Sequence, residues 1–326
     1  MTVKLGFLGI GHIGRSRMEA MLATGKAEAI AICDASAEMV GEARKLAPCA
    51  EVVGSLEGML GLRPDGVVIA TPSALHAGQS IEALNAGAAV FCQKPLGRNA
   101  AEVEAVLDAA RSADRLLGVD LSYRHTSAMQ AIRTLVAEGA LGKPFAADFV
   151  FHNAYGPGNA WFYDRKLSGG GCLVDLGVHL VDLALWLFDF PEVAEARGHP
   201  LKDGRPARVD DCEDFFTGEL QLANGVSLRL ACSWNLSAGQ DAEIRATIFG
   251  TEGGAEMRNA NGSFFDFASE RFSGRDREEL TTYPDDWGGR AAAEWVEKLA
   301  SGERFEGTAA GLLETARTLD RLYGRA

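Results

Sequence analysis

The segment Leu173-Val174-Asp175-Leu176-Gly177-Val178-His179-Leu180-Val181-Asp182 carries the residue types best suited to move a proton. On a helix, Asp175 and His179 are four apart and Asp182 lies three beyond, so the three share one face. Leu173, Val174, Val178, Val181 and Leu185 fall on the opposite face, which suits burial. An imidazole titrates near neutrality and can accept and return a proton, while Asp175 can orient it or contact a substrate hydroxyl. The plainer alternative is a partly buried histidine satisfied by a neighbouring carboxylate. Lys94, in Gln93-Lys94-Pro95, closes an apolar run. Held beside a reacting carbon, its ammonium would stabilise negative charge developing on oxygen. A solvated lysine at a strand terminus is the competing reading.

The start of the chain carries a second constellation, of a different kind. An apolar run from Val3 flows into Gly9-Ile10-Gly11-His12-Ile13-Gly14. Gly9 allows a tight turn, Gly11 lets the backbone approach a pyrophosphate, and Gly14 lets the new helix lie close to its strand. A helix opening at about His12 aims free N–H groups and a positive dipole end at phosphates. The next strand, Ala27 to Asp34, ends in a carboxylate twenty residues after Gly14. A carboxylate there accepts the ribose hydroxyls of NAD and repels the extra phosphate of NADP. NAD is therefore the expected cofactor. Arg15 and Arg17 leave NADP open, although their helical positions favour solvent-facing roles. Thr71-Pro72-Ser73 with His76 stands at the end of another strand, where each could contact cofactor ribose or phosphate or simply form a turn and an N-cap.

Composition narrows the class. The chain has 326 residues, 24% charged and 47% hydrophobic, which fits a folded protein of two domains. A net charge of −13 without a basic patch argues against nucleic acid as a partner. The apolar runs look too short or too interrupted by acids for a membrane span, and no cleavable leader pattern opens the sequence. A cytoplasmic location is expected. Six scattered cysteines, with no Cys-x-x-Cys pair and no histidine at ligand spacing, read as free thiols, and no metal site is expected.

Strands and helices alternate up to a strand at Leu116 to Asp120, which predicts a doubly wound parallel sheet over residues 1–121. Beyond it come a helix at Ser127 to Glu138, a strand at Phe145 to Asn153, a glycine-rich loop at Ser168 to Gly171 and an amphipathic helix at Leu173 to Phe188. Mostly strands follow, with an Asn224-Gly225 hairpin turn, so residues 122–326 are expected to form an α+β domain with an open, mostly antiparallel sheet. Two final helices, Gly289 to Ala300 and Ala309 to Tyr323, would pack back on the body.

The glycine turn, the Thr-Pro-Ser-x-x-His strand end, the lysine-proline step and the Gly-Gly-Gly-x-x-x-Asp-x-Gly-x-His-x-x-Asp segment, in this order, resemble the Gfo/Idh/MocA family of sugar and polyol oxidoreductases. The resemblance spans essentially the whole chain. It implies a Rossmann domain followed by a substrate-binding domain whose open sheet forms homodimers or homotetramers. It also implies Lys94, Asp175 and His179 as the catalytic set, acting on a sugar, inositol or related polyol. Gly9, Ile10, Gly11, His12, Ile13, Gly14, Asp34, Thr71, Pro72, Ser73, His76, Gln93 and Lys94 would face the cofactor. Arg124, Asn153, Tyr155, Trp161 and Phe162 would line the substrate pocket, with aromatic faces against C–H groups and amides for hydroxyls. One departure stands out, because the family usually shows Glu-Lys-Pro and this chain has Gln93. Loss of that acid is expected to loosen the lysine's hold on its proton slightly, or to alter how the nicotinamide amide is held. Two other functions stay open within the resemblance: a dinucleotide-binding sensor without turnover, and an NAD-assisted glycosidase.

Overall fold

A computed structural model describes residues 1–305 and 309–325. Its contacts gather the chain into two compact units, Met1–Leu121 with Gly289–Ala310 and Ser122–Gly288 with Gly311–Ala326. In the first unit strand and helix alternate: β1 (Val3–Leu8), α1 (His12–Ala23), β2 (Ala27–Cys33), α2 (Ala37–Leu46), β3 (Glu51–Val52), α3 (Leu56–Gly61), β4 (Gly66–Ile69), α4 (Ser73–Asn85), β5 (Ala89–Cys92), α5 (Ala100–Ala113) and β6 (Leu117–Val119). The six strands are all parallel, in the order β3-β2-β1-β4-β5-β6. A parallel sheet is covered on both faces, which is why every residue of β4 and β5 is buried. Strand order reverses between β1 and β4, and that reversal opens a crevice at the carboxyl ends of the strands.

Local sequence sets where the helices begin. Ser36, Ser55 and Asn99 each accept a hydrogen bond from the backbone N–H three residues on, starting α2, α3 and α5. Such a cap contributes about 1 kcal/mol. At α1, by contrast, Gly11 occupies the cap position and offers no side-chain bond, so the first N–H groups stay open.

The second unit begins with a short 3-10 turn, Ser122–His125, followed by α6 (Ser127–Ala137), β7 (Pro144–Asn153) and a single-turn helix α7 (Arg165–Ser168). A π-turn, Leu173–Gly177, then runs into α8 (Val178–Leu187). The strands β8 (Val193–Lys202), β9 (Arg205–Pro206), β10 (Phe215–Leu222), β11 (Ser227–Ser233), β12 (Ala242–Gly250), β13 (Gly254–Asn259), β14 (Phe267–Ser273) and β15 (Asp276–Thr281) complete it. Together with β7 they form a nine-stranded sheet in the order β15-β14-β13-β12-β7-β11-β10-β8-β9. Among the described residues, only β7 and β11 pair in parallel; the other seven pairings are antiparallel. The Asn224-Gly225 turn joins β10 to β11 as expected, with Gly225 at a φ of 93° that glycine tolerates. Along β7, Ala147, Phe149 and Phe151 are buried while Asp148, Val150 and His152 are half-buried on the other face.

The segment expected to be an amphipathic helix is instead central. Of Leu173–Leu187, only Asp175 and Trp186 escape burial. The longer stretch Arg165–Leu187 is long and apolar enough to cross a membrane by length and composition, contrary to the reading that no run reached that limit, and 89% of its apolar window is buried inside the protein. Burial on all sides removes the polar face that the sequence pattern suggested.

Two helices close the chain: α9 (Arg290–Ser301) packs in the first unit and α10 (Ala310–Leu322) lies in the second. Trp295 of α9 lies where two glycines leave room on the parallel sheet. A Cβ at Gly66 or Gly118 would come within 2.6 Å of its indole. The same ring packs against Phe91 at 5.7 Å and joins Leu5, Phe7, Met18 and Ile32 in one core.

Candidate active site

At the first crevice, sequence and geometry coincide closely. Gly9 has a φ of 80°, and a Cβ there would sit 2.6 Å from the Ala70 carbonyl. A Cβ at Gly14 would lie 2.2 Å from the Gly9 oxygen, whereas one at Gly11 would meet no atom within 4 Å. The turn is thus packed underneath and open above, over a helix start whose N–H groups lack a cap. Those features fit a pyrophosphate. His12 and Ile13 are exposed on the first turn of α1. Asp34 binds the turn directly, its Oδ2 accepting from Ile10 N at 2.7 Å and its Oδ1 from Ser36 N at 2.8 Å. Each carboxylate oxygen keeps a lone pair for a ribose hydroxyl. When bound, NAD would supply the hydride acceptor, and Gly9 to Gly14 with Asp34 are the residues that would hold it.

At the ends of β4 and β5 the structure amends the sequence reading. His76 is 1% exposed and Ser73 3%, so neither presents its side chain on the surface. The His76 ring bridges main chain, with Nδ1 2.7 Å from Pro95 O and Nε2 2.6 Å from Thr71 O. Burial pushes its pKa down, the two carbonyl bonds oppose that, and the charge of Lys94 adds to the lowering. A direct cofactor contact by His76 therefore gives way to a positional role, tying the end of β4 to the lysine-proline step. The Thr71 hydroxyl donates to Gln79 Oε1 at 2.6 Å, and Pro72, not Ser73, stands at the N-cap of α4. The Lys94-Pro95 peptide is cis.

Arg17 was expected to face solvent and is buried, 8% exposed. Its Nε donates to Asp120 Oδ2 at 2.6 Å, beside a second hydrogen bond to the same oxygen from Gln93 Nε2. The burial follows from Asp120, which offers the guanidinium a carboxylate inside the unit. Arg15 instead reaches Glu42 at 3.7 Å. Arg17 is thereby committed to Asp120, whereas Arg15 stays a third exposed in a loose surface pair.

In the second unit, His179 is 7% exposed and packs edge-on against Tyr123, ring centroids 4.8 Å apart, with Phe151 at 6.3 Å. Asp175 is half-buried, and its Oδ2 accepts from Trp234 Nε1 at 3.1 Å. The intervening π-turn is a departure from regular helix of the kind found at functional sites. Glu213 fixes its start: Oε1 accepts from Leu173 N at 2.9 Å and from Tyr323 OH at 2.6 Å, while Oε2 accepts from Gly171 N at 3.0 Å. A Cβ at Gly171 would fall 2.0 Å from the Glu213 carbonyl oxygen, so only glycine allows that approach. Burial raises the Glu213 pKa above the usual range, against its hydrogen bonds.

Arg124 is half-buried. Its Nε donates to Asp182 Oδ2 at 2.6 Å, its Nη2 donates to Oδ1, and its guanidinium sits 5.2 Å from the Phe190 ring centre. Asp182 is fully enclosed, and burial raises its pKa even against the charge of Arg124. This internal pair engages Nε and Nη2 of Arg124, because an enclosed carboxylate requires a cation beside it. Asn153 ends β7 with its Oδ1 buried and without a bonding partner. Trp161 and Phe162 stack at 3.7 Å, Phe162 meets Trp234 edge-on at 6.5 Å, and Tyr155 is 53% exposed beside Phe264. Phe162, with Tyr163 at 5.5 Å, thus meets the indole that holds Asp175, Trp161 stacks behind Phe162, and Tyr155 packs elsewhere.

Sequence reasoning missed Trp234, Glu213 and Asp120. Trp234 follows a strand that was legible, but nothing in a lone tryptophan announces Asp175 as its acceptor. Glu213 sits in a run of acids, Asp210 to Asp214, where no spacing singles it out.

A glycine turn on a doubly wound sheet, with an acid at the next strand end, defines a dinucleotide-binding protein, and comparison with known proteins narrows the class. The model of an oxidoreductase family with an NAD-binding Rossmann fold matches residues 3–121, and that of the GFO/IDH/MocA C-terminal domain matches residues 129–256. The chain belongs to the Gfo/Idh/MocA family of oxidoreductases. It is 31% identical over 258 residues to 1,5-anhydro-D-fructose reductase of Ensifer adhaerens, covering 78% of this chain and 75% of that protein. Against D-glucoside 3-dehydrogenase of Escherichia coli (strain K12) it is 27% identical over 243 residues, covering 71% and 69%. Its fold matches that of levoglucosan dehydrogenase, solved in complex with NADH and levoglucosan, with a TM-score of 0.84 at 21% identity, covering 100% of this chain and 97% of that one.

Proposed function

We propose that this protein is an NAD-dependent dehydrogenase or reductase that interconverts a hydroxyl and a carbonyl on a sugar, inositol or related polyol. The observation that carries the reading is the open, uncapped helix start above Gly11 with Asp34 bound into the same turn. The family supports it, as do relatives named for sugar oxidation and reduction. His179 takes the hydroxyl proton, Asp175 orients the reacting group from its anchor on Trp234, and Lys94 stabilises the alkoxide as hydride leaves carbon. Asn153, with its unpartnered acceptor, and the Trp161 and Phe162 rings suit hydroxyl groups and C–H faces of a polyol. An NAD-linked absorbance screen of aldoses, inositols, sugar acids and diols at alkaline pH, with Lys94→Ala as the blank, tests this. NADH formation with at least one substrate and none in the blank is expected. NAD binding without turnover on any of them would favour a sensor, and release of an aryl leaving group from a glycoside without net NADH would favour glycosidase chemistry.

Self-association through the outer face of the nine-stranded sheet, and action in the cytoplasm, complete the proposal. The half-buried Asp148, Val150 and His152 on that face, with the Asp148–Arg229 ion pair, support a polar contact surface. Sedimentation should give a dimer or tetramer, and Arg229→Glu should shift it towards monomer; a monomeric parent protein would refute this part.

A further inference from the structure

Asp120 follows β6 and is 1% exposed. Its Oδ2 accepts from both Arg17 Nε and Gln93 Nε2, while its Oδ1 is buried without a partner. Arg17 is itself buried, so the two opposite charges face one another in the interior. An ionised carboxylate only accepts hydrogen bonds, so the end of the Gln93 amide turned towards it must be the N–H2. That settles which way the amide points: the carbonyl Oε1 is the end turned away from Asp120. Gln93 directly follows β5 and directly precedes Lys94, at the carboxyl edge where ligands of such sheets lie.

We propose that Asp120, backed by Arg17, is a positioning residue that locks the Gln93 amide so that Oε1 is presented as an uncharged acceptor to a donor on the nicotinamide half of NAD. The donor is the carboxamide N–H2 or a ribose hydroxyl. A glutamate at position 93, usual in this family, would set a second carboxylate against Asp120 with no proton between them, and like charges at that range repel. Gln93 and Asp120 therefore form one unit, with the amide at the end of β5 and the acid at the end of β6. The inference rests on reading the glycine turn as an NAD site.

NADH affinity by fluorescence titration, with thermal melts to confirm folding, tests it on the parent protein, Gln93→Glu, Asp120→Asn and the double variant. Gln93→Glu alone should weaken binding by about tenfold or more at alkaline pH, equivalent to roughly 1.4 kcal/mol. That loss should shrink as pH falls and the two carboxylates share a proton. In the double variant, the introduced carboxylate meets the N–H2 of the introduced amide, and affinity should return to within about threefold of the parent, the non-additivity expected of a contacting pair. The reduced 3-acetylpyridine analogue, which lacks the carboxamide N–H2, then separates the two donors. An Asp120→Asn penalty that vanishes with the analogue identifies the carboxamide, and one that persists identifies a ribose hydroxyl. Additive losses in the double variant, or a Gln93→Glu protein that binds like the parent at every pH, overturn the proposal. Should Asp120→Asn fail to fold with Arg17 unpaired, the pH dependence of Gln93→Glu decides alone, and a loss independent of pH overturns it. A parent protein that binds no NADH removes the NAD reading and this inference with it, whereas normal binding with additive losses removes only the inference.

Discussion

His179 and Lys94 divide the work in the proposed reaction, one holding a proton and the other a developing negative charge. Replacing either by alanine should cut turnover by about two to four orders of magnitude, the usual contribution of a positioned acid–base group, while leaving NADH affinity nearly intact. Steady-state kinetics beside fluorescence titration would separate the two effects, and unchanged turnover in both variants would discard the assignment. Asp34 belongs to binding alone. Because it accepts from Ile10 and Ser36 N–H groups and remains placed for ribose hydroxyls, Asp34→Ala should raise the Kd for NADH by about tenfold, some 1.4 kcal/mol, and narrow the preference over NADPH. Equal NADH and NADPH affinities in the parent protein would contradict that role.

Between residue and molecule stands the segment from Gly171 through α8, whose start is held by one buried acid. Glu213 satisfies the N–H groups of Gly171 and Leu173 and the hydroxyl of Tyr323, yet burial still raises its pKa above the ordinary glutamate value. A raised folded-state pKa means the native protein holds this proton longer than the unfolded chain does. Its contribution is therefore complete below the unfolded value and is lost as pH rises through the folded one. Glu213→Gln should flatten the decline of Tm with pH across that window, read by calorimetry. Asp182 titrates in the same direction, so part of the slope should remain. An unaltered Tm profile would show that Glu213 does not govern it.

Across the whole chain, neither unit is one continuous stretch. Residues Met1–Leu121 leave the parallel sheet without α9, whose Trp295 fills the space over Gly66 and Gly118. Trp295→Ala should cost about 3–5 kcal/mol of stability by opening a cavity there. A fragment ending at Leu121 should accordingly lack the cooperative melt of the full chain. A fragment that melts as sharply as the intact protein would mean that α9 is dispensable to the first core.

How much of this was legible beforehand follows the range of the forces involved. Short-range constraints wrote the glycine turn, Asp34, the alternation of strand and helix and the Asn224-Gly225 hairpin into neighbouring residues, because each depends on backbone sterics or a period of two or 3.6. The Asp175–His179 spacing was legible for the same reason, although burial on every side and a π-turn replaced the expected amphipathic helix. Long-range choices were not written locally. Arg17 reached Asp120 across 103 positions and Arg124 reached Asp182 across 58, so an arginine expected at the surface and another expected on substrate both paired with buried acids. Sequence by itself determined the fold class and the kinds of residue available for chemistry. Tertiary structure decided which charges are paired with one another and which remain for a ligand, since an enclosed charge is stable only beside a partner that folding brings to it.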